Sequence, residues 1–284
     1  GPSGMTCAYY LALMGHSVKV FEMHKKLGGM TRYGIPAYRF PRHRLDEDLN
    51  AILSVGNIEV ETECYVDEAK MREIHAEYDA IYVAIGAHSG KLLKMDGIDS
   101  EGVYSAVDIL GKIGDDDYPD FTGQSVAVIG GGNVAMDCAR SAVRAGAKQV
   151  SVVYRRRRED MTALDAEIDS AAAEGVELMM LEAPVAIEAD ETGHARYVIA
   201  QPQYIGPVDR GRPAPVNAAK DQIKIPADIV LIAVGQAIVS EPFAAFGMAV
   251  SRRANFEANQ YLEAKGDLPG IFVGGDCQTG PKTA

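Results

Sequence analysis

Ser125-Val126-Ala127-Val128-Ile129-Gly130-Gly131-Gly132-Asn133-Val134-Ala135 is the stretch whose reading decides the fold. The short apolar run reads as a buried strand, the three glycines as a tight turn, and Met136 to Ala145 as the helix that follows. The next apolar run, Val150 to Val153, stops at Tyr154 and four arginines, Arg155 to Arg158. Strand, glycine turn, helix and strand are the parts of a dinucleotide fingerprint. One glycine lets backbone approach a pyrophosphate, and the last small residue lets helix and strand pack closely. The helix N-terminus adds unpaired N–H donors and partial positive charge.

The plan occurs twice. Gly1-Pro2-Ser3-Gly4 lies inside a first copy, residues 5–14 read as its helix, and Val18 to Phe21 as a strand that ends at Glu22. The leading strand and first glycine of this copy are not in the sequence, and the full protein is expected to extend at both ends. Gly1 to Glu22 is 21 residues and Gly132 to Tyr154 is 22, so the two strand ends correspond. A carboxylate there accepts hydrogen bonds from ribose hydroxyls and repels a 2′-phosphate. Guanidinium groups there pair with a 2′-phosphate, often through two N–H donors. The first copy is therefore read as an FAD site and the second as an NADP(H) site. Each motif keeps a plainer alternative, a glycine turn without a ligand or a solvated run of charge.

Composition narrows the function classes. A length of 284 residues allows two domains with cores of their own. Net charge is −12, and the one basic cluster, Arg155 to Arg158, is too short for a duplex footprint, so no nucleic-acid partner is expected. No apolar run approaches the roughly 18 residues of a membrane span, so no membrane partner is expected either. Cys7, Cys64, Cys138 and Cys277 show neither C-x-x-C pairing nor metal spacing. That pattern suits a reducing, cytoplasmic setting and argues against dithiol chemistry. Cys7 and Cys138, in the helices after the glycine turns, read as small buried side chains.

Along the chain, residues 27–42 hold three glycines and two prolines and read as a loop of fixed turns. A helix over Arg44 to Val55, a strand near Ile58 to Thr62 and a buried strand over Ala80 to Ile85 follow. The polar run Asp115 to Asp120 marks passage into the second unit. There a helix over Leu164 to Glu174 precedes a strand over Val176 to Leu181. Tyr204 to Gln222 reads as a hairpin excursion, Ile229 to Val234 as a buried strand, and Ile271 to Val273 as a short one. Apolar strands flanked by helices predict parallel sheets in both units. The expected architecture is α/β, with two Rossmann-like domains and the second inserted into the first. Its boundaries are 1–114 for the first part of the FAD domain, 115–238 for the NADP(H) domain and 239–284 for the rest of the FAD domain.

The chain resembles the flavoprotein subunit family of NADPH-dependent glutamate synthase. That family includes its small (beta) subunit, the flavin subunits of bifurcating transhydrogenases and the flavin segment of dihydropyrimidine dehydrogenase. The resemblance is carried by Gly1 to Gly4, Phe21-Glu22, Leu27-Gly28-Gly29-Met30 and, most specifically, Tyr33-Gly34-Ile35-Pro36-Ala37-Tyr38-Arg39. It continues through Ala84 to Ala87, Gly130 to Asp137, Tyr154-Arg155-Arg156, Ala233 to Gln236 and Gly274-Gly275-Asp276. It implies that Gly1, Pro2, Ser3 and Gly4 face the FAD pyrophosphate and Glu22 the adenosine ribose. Gly29, Met30, Arg39 and Gly86 would be further FAD contacts. Gly275 and Asp276 would meet the ribityl chain, with the segment to Thr283 beside the flavin ring. Gly131, Gly132, Asn133 and Val134 would cradle the NADP pyrophosphate, Arg155 and Arg156 would clamp its 2′-phosphate, and Ala233, Val234 and Gly235 would lie near the nicotinamide nucleotide.

The activity so implied is hydride transfer from NADPH to FAD, then electron transfer to an iron–sulfur domain or subunit, as with a glutamate synthase large subunit. The cysteine-rich iron–sulfur region of such proteins is not in this sequence. The cofactors carry this chemistry and need no side-chain acid or base; the protein holds the reacting atoms within about 3–3.5 Å. No catalytic side chain or metal ligand is therefore expected, and the six scattered histidines name none. Tyr33 and Tyr38 are open to two readings, flavin shields or packing residues, and Met30 equally to core filling or flavin contact. A stand-alone flavin oxidase or monooxygenase, and a nucleotide-binding subunit without FAD, are the competing functions.

Overall fold

In the computed structural model, which describes residues 1–91, 93–209, 211–266 and 268–282, the first helix spans Pro2–Leu13. Its proline stands in the first turn, where a missing N–H costs nothing. Met5, Ala8 and Ala12 recur at helical spacing and are buried, and Met5 packs with Leu45 and Leu49 of the helix Arg42–Leu53. Val18–Phe21 pairs in parallel with Ile58–Glu61, and Ile81–Val83 in parallel with Ile271–Val273. A cavity of about 310 Å³ runs along both inner strand edges, lined by residues 17–23 on one side and 80–85 on the other, with Gly1 and Gly4 also in its wall. The helices Glu68–Glu77 and Glu241–Phe246, not read from the sequence, also belong to this unit. Asp67 caps the former by accepting the Lys70 N–H at 2.8 Å. Met71 joins Phe243, Phe246, Phe256, Ile271 and Val273 in a second core cluster.

The chain divides into two compact units, one of 1–89 with 236–284 and one of 90–235. The second holds a five-stranded parallel sheet ordered Val103–Ser105, Ile229–Ile232, Ser125–Ile129, Gln149–Tyr154 and Glu177–Met180. Every residue of Ser125–Ile129 and Ile229–Ile232 is buried, as central strands covered on both faces require. The helix Asn133–Arg144 lays Ala135, Met136, Cys138, Ala139 and Ala142 into the core. These small side chains allow a close approach.

Two expectations change here. Residues 90–114 stand in the second unit, because Val103–Ser105 pairs with Ile229–Ile232 and the apolar face of Ala106–Gly114 packs into the core of that sheet. The second unit is also not wholly parallel. Glu182–Ala189, Ala195–Asp209, Arg212–Asn217 and Ile223–Pro226 form a four-stranded antiparallel sheet, so the hairpin expected over 204–222 is part of a larger structure. A tight turn, not a helix, joins Glu182–Ala189 to Ala195–Asp209. There Asp190 Oδ1 accepts the Thr192 N–H at 2.8 Å.

Candidate functional site

In the first unit, backbone contact brings the glycines together. Gly1 caps Pro2–Leu13 without a side-chain acceptor, which leaves first-turn N–H groups such as those of Ser3 and Gly4 for an anion. Gly29 has φ 55°, and a Cβ there would lie 2.5 Å from Gly1 Cα, so a side chain is excluded on both counts. Gly275 backs onto Ser3, with an added Cβ 2.8 Å from Ser3 Cβ, and Ser3 Oγ lies 2.9 Å from Tyr82 Oη. Glu22 closes its strand. Its Oε1 accepts the His24 N–H at 3.0 Å, while its other carboxylate oxygen has no partner among the described residues. Gly1 and Glu22 line the same cavity.

The remaining first-site residues are less closely joined. Met30 opens the short helix Met30–Tyr33 with its Cε over Gly34, where a Cβ would come within 2.3 Å, so its side chain packs. Tyr33 also packs. It is 1% exposed, stacks on His24 at 3.9 Å between centroids, and donates its hydroxyl to the Lys26 carbonyl at 3.0 Å. Arg39 is half-buried, its N–H on the Pro36 carbonyl at 3.0 Å. Gly86 lies beside the His88 ring, and Asp276 opens the turn Asp276–Thr279, where burial raises its carboxyl above the usual range. Thr283 lies outside the described residues. Sequence reasoning missed His88, whose pKa is lowered to about 4 by burial, then by His24 and the amino terminus. It also missed His24, whose Nε2 is buried without a partner among the described residues.

In the second unit the glycine turn is pinned from outside. The Gly131 carbonyl accepts the N–H groups of Thr162 and Ala163 at 2.9 and 3.1 Å. Asn133 Oδ1 accepts the Leu164 N–H at 2.9 Å, so the side chain is occupied while the first-turn N–H groups of Asn133 and Val134 have no intrahelical acceptor. Gly131 must be glycine for contact reasons, since a Cβ would lie 2.5 Å from the Tyr154 ring. Gly132 is the N-cap and carries no side-chain cap. Ala233 donates its N–H to the Ile129 carbonyl at 2.8 Å, and its own carbonyl lies against Gly130, which sets Ala233, Val234 and Gly235 beside the turn. Arg155 is exposed and has no partner among the described residues, and Arg156 is half-buried with its Nε on the Pro213 carbonyl at 3.1 Å.

Both cradles fit a pyrophosphate by the same test, uncapped first-turn N–H groups beside backbone that a Cβ would block. They differ where the strand ends, in a carboxylate with one oxygen free and in a guanidinium with no partner. Of the four cysteines, Cys7 and Cys64 line the first-unit cavity. All four are free, and burial pushes the Cys7, Cys138 and Cys277 thiols up, away from the reactive thiolate. Among the described residues there is no cluster able to hold a metal ion and no helix long and apolar enough to cross a membrane.

The sequence profile of the family described as pyridine nucleotide-disulphide oxidoreductase matches residues 1–284. The chain is 38% identical over 287 residues to the NADP(+)-dependent formate dehydrogenase subunit beta of Moorella thermoacetica, covering 100% of this chain and 40% of that one. It is 31% identical over 247 residues to the glutamate synthase [NADPH] small chain of Escherichia coli, covering 83% of this chain and 52% of that one. The chain thus spans about half or less of these relatives. Among solved structures, Mycobacterium tuberculosis FprA in complex with NADPH superposes with a TM-score of 0.80 at 20% identity, over 100% of this chain and 78% of that one, and so shares the fold.

Proposed function

Because the chain belongs to the pyridine nucleotide-disulphide oxidoreductase family, we propose that it is the NADPH-oxidising, FAD-carrying part of a larger electron-transfer enzyme and delivers electrons to an iron–sulfur partner. The observation that carries this reading is the contrast of strand ends. Glu22 offers a free carboxylate oxygen to ribose hydroxyls, and Arg155 offers an unpaired guanidinium to a 2′-phosphate. FAD, when bound, supplies the redox chemistry, taking hydride from the nicotinamide and releasing electrons onward.

The protein's part is to bind and orient. The first-turn N–H groups at Ser3 and Gly4 hold the FAD pyrophosphate, Gly29 gives it room, and Glu22 fixes the adenosine ribose. Gly86, Gly275 and Asp276 meet the flavin side. The Asp276 carboxyl, raised by burial, offers oxygens to a ribityl hydroxyl. Gly131 to Val134 hold the NADP pyrophosphate, Arg155 and Arg156 its 2′-phosphate, and Ala233 to Gly235 the nicotinamide end. The unit 1–89 with 236–284 is then the FAD domain, and 90–235 the NADP(H) domain. The subunit names of the relatives support a partner that receives the electrons.

The test loads the chain with FAD, follows quenching of flavin fluorescence, and then adds NADPH or NADH without oxygen. The yellow absorbance is expected to bleach faster with NADPH. Arg155→Ala should weaken NADPH binding by about 1.5–3 kcal/mol and leave NADH binding unchanged. Equal bleaching by both nucleotides in wild type and variant defeats the NADP(H) assignment, and failure to take up FAD by a chain extended at both ends defeats the flavin assignment.

A further inference from the structure

The four consecutive arginines are not equivalent. Asp160 holds Arg157, its Oδ2 accepting from Nε at 3.0 Å and from the backbone N–H at 3.3 Å. Asp169 holds Arg158. Arg156 gives only its Nε, to the Pro213 carbonyl, and Arg155 gives nothing to any described residue. Two of the four charges are thus neutralised locally, which leaves one whole guanidinium and the terminal N–H groups of a second.

The loop that carries them is clamped from a distance. The Asp160 carbonyl accepts the Tyr154 hydroxyl at 2.8 Å and also the Arg212 guanidinium. The Arg156 carbonyl accepts the Leu181 N–H at 3.1 Å. Arg212 and Pro213 both belong to Arg212–Asn217, a strand of the antiparallel sheet that no part of the nucleotide fingerprint requires. Tyr154, whose ring lies against Gly131, holds the Asp160 carbonyl by its own hydroxyl and keeps that bond when Arg212 is removed.

We propose that this strand is a specificity element of the nucleotide site. In it, Arg212 is a positioning residue that fixes the loop 155–160 through the Asp160 carbonyl, and Pro213 aligns Arg156, so that Arg155 and the ends of Arg156 receive the 2′-phosphate. This rests on the NADP(H) reading above. It differs from a general brace because the adenosine and pyrophosphate contacts come from Gly131 to Val134, which the Thr162 to Leu164 segment pins separately. Loosening the clamp therefore weakens binding of the phosphorylated nucleotide alone.

The experiment is calorimetric titration of the chain with NADP+ and with NAD+, which needs no turnover. Arg212→Ala is expected to lower NADP+ affinity about tenfold, the weight of one charge-assisted hydrogen bond, and to leave NAD+ affinity within about twofold. Arg212→Lys, which still donates to the carbonyl, should recover most of the loss, and it stands in if the alanine variant does not fold. Equal weakening of both nucleotides, or no change in either while Arg155→Ala loses NADP+ preference, overturns the clamp and leaves the NADP(H) reading intact. If Arg155→Ala also leaves the preference unchanged, the NADP(H) reading itself fails.

Discussion

Gly29 tolerates no replacement. Its φ of 55° is unfavourable for a side chain, and the obstacle to a Cβ is the Gly1 backbone, which has no rotamer with which to give way. Gly29→Ala should cost about 1–3 kcal/mol, read as a lowered urea midpoint, and on the proposed FAD site should weaken FAD uptake because the displaced Gly1 caps the helix Pro2–Leu13. Titratable side chains give a second residue-scale expectation. Arg144 and then Arg140 hold the Glu174 carboxyl at about 2, below its usual 4.5, so the fold prefers the ionised form. That stability is complete above pH 4.5 and is lost as pH falls toward 2. His88, lowered from 6.5 to about 4, is preferred neutral, so its contribution is complete above pH 6.5 and lost as pH falls toward 4. In acid denaturation followed by circular dichroism, Glu174→Gln should flatten the lower window and His88→Gln the upper one.

At the scale of elements, the glycine turn depends on the segment after the arginines. Asn133→Ala removes the acceptor of the Leu164 N–H and should lower stability by about 1 kcal/mol, with reduced NADP+ affinity in the same titration if the proposed site is right, because Asn133 opens the helix after the glycine turn. How far such elements can be read in advance follows from the range of the forces that make them. Ser125 to Ala145 was legible because apolar runs, glycines and helix period act within twenty residues or so. The positions of Glu22 and Arg155 just past their strands were legible because strand ends sit at a fixed offset from the turn. The antiparallel sheet was not, because Gln201-Pro202-Gln203 in mid-strand looks like loop. Folded, the Gln203 side chain bonds Gln201 and Asn217, which satisfies polarity that the linear pattern counts against a strand. The contacts of Gly275 with Ser3 and of Arg212 with Asp160 join residues too distant in sequence for any local pattern to show. The boundary at 89 rather than 114 was missed for the same reason, since the pairing of Val103–Ser105 with Ile229–Ile232 spans more than a hundred residues.

For the whole molecule, the buried apolar residues fall into separate clusters. Two are drawn wholly from 90–235 and two from 1–89 with 236–284. Units with cores of their own need not melt together. Scanning calorimetry should show two transitions, and NADP+ at about a hundred times its Kd should raise one of them by about 2.7 kcal/mol of added stability while leaving the other in place.

The cavity between Val18–Phe21 and Ile81–Val83 has a consequence for how protons leave the backbone. Val18 and Glu22 send their N–H groups to the carbonyls of Asn57 and Glu61, and strand alternation turns those of Lys19 and Phe21 the opposite way. Ile81 donates to the Gly270 carbonyl, and Tyr82 by the same alternation faces the cavity. Deuterium should therefore enter these strands in an odd-and-even rhythm, slowly at Val18 and Ile81 and quickly at Lys19, Phe21 and Tyr82. An extended segment laid into the gap would silence that rhythm.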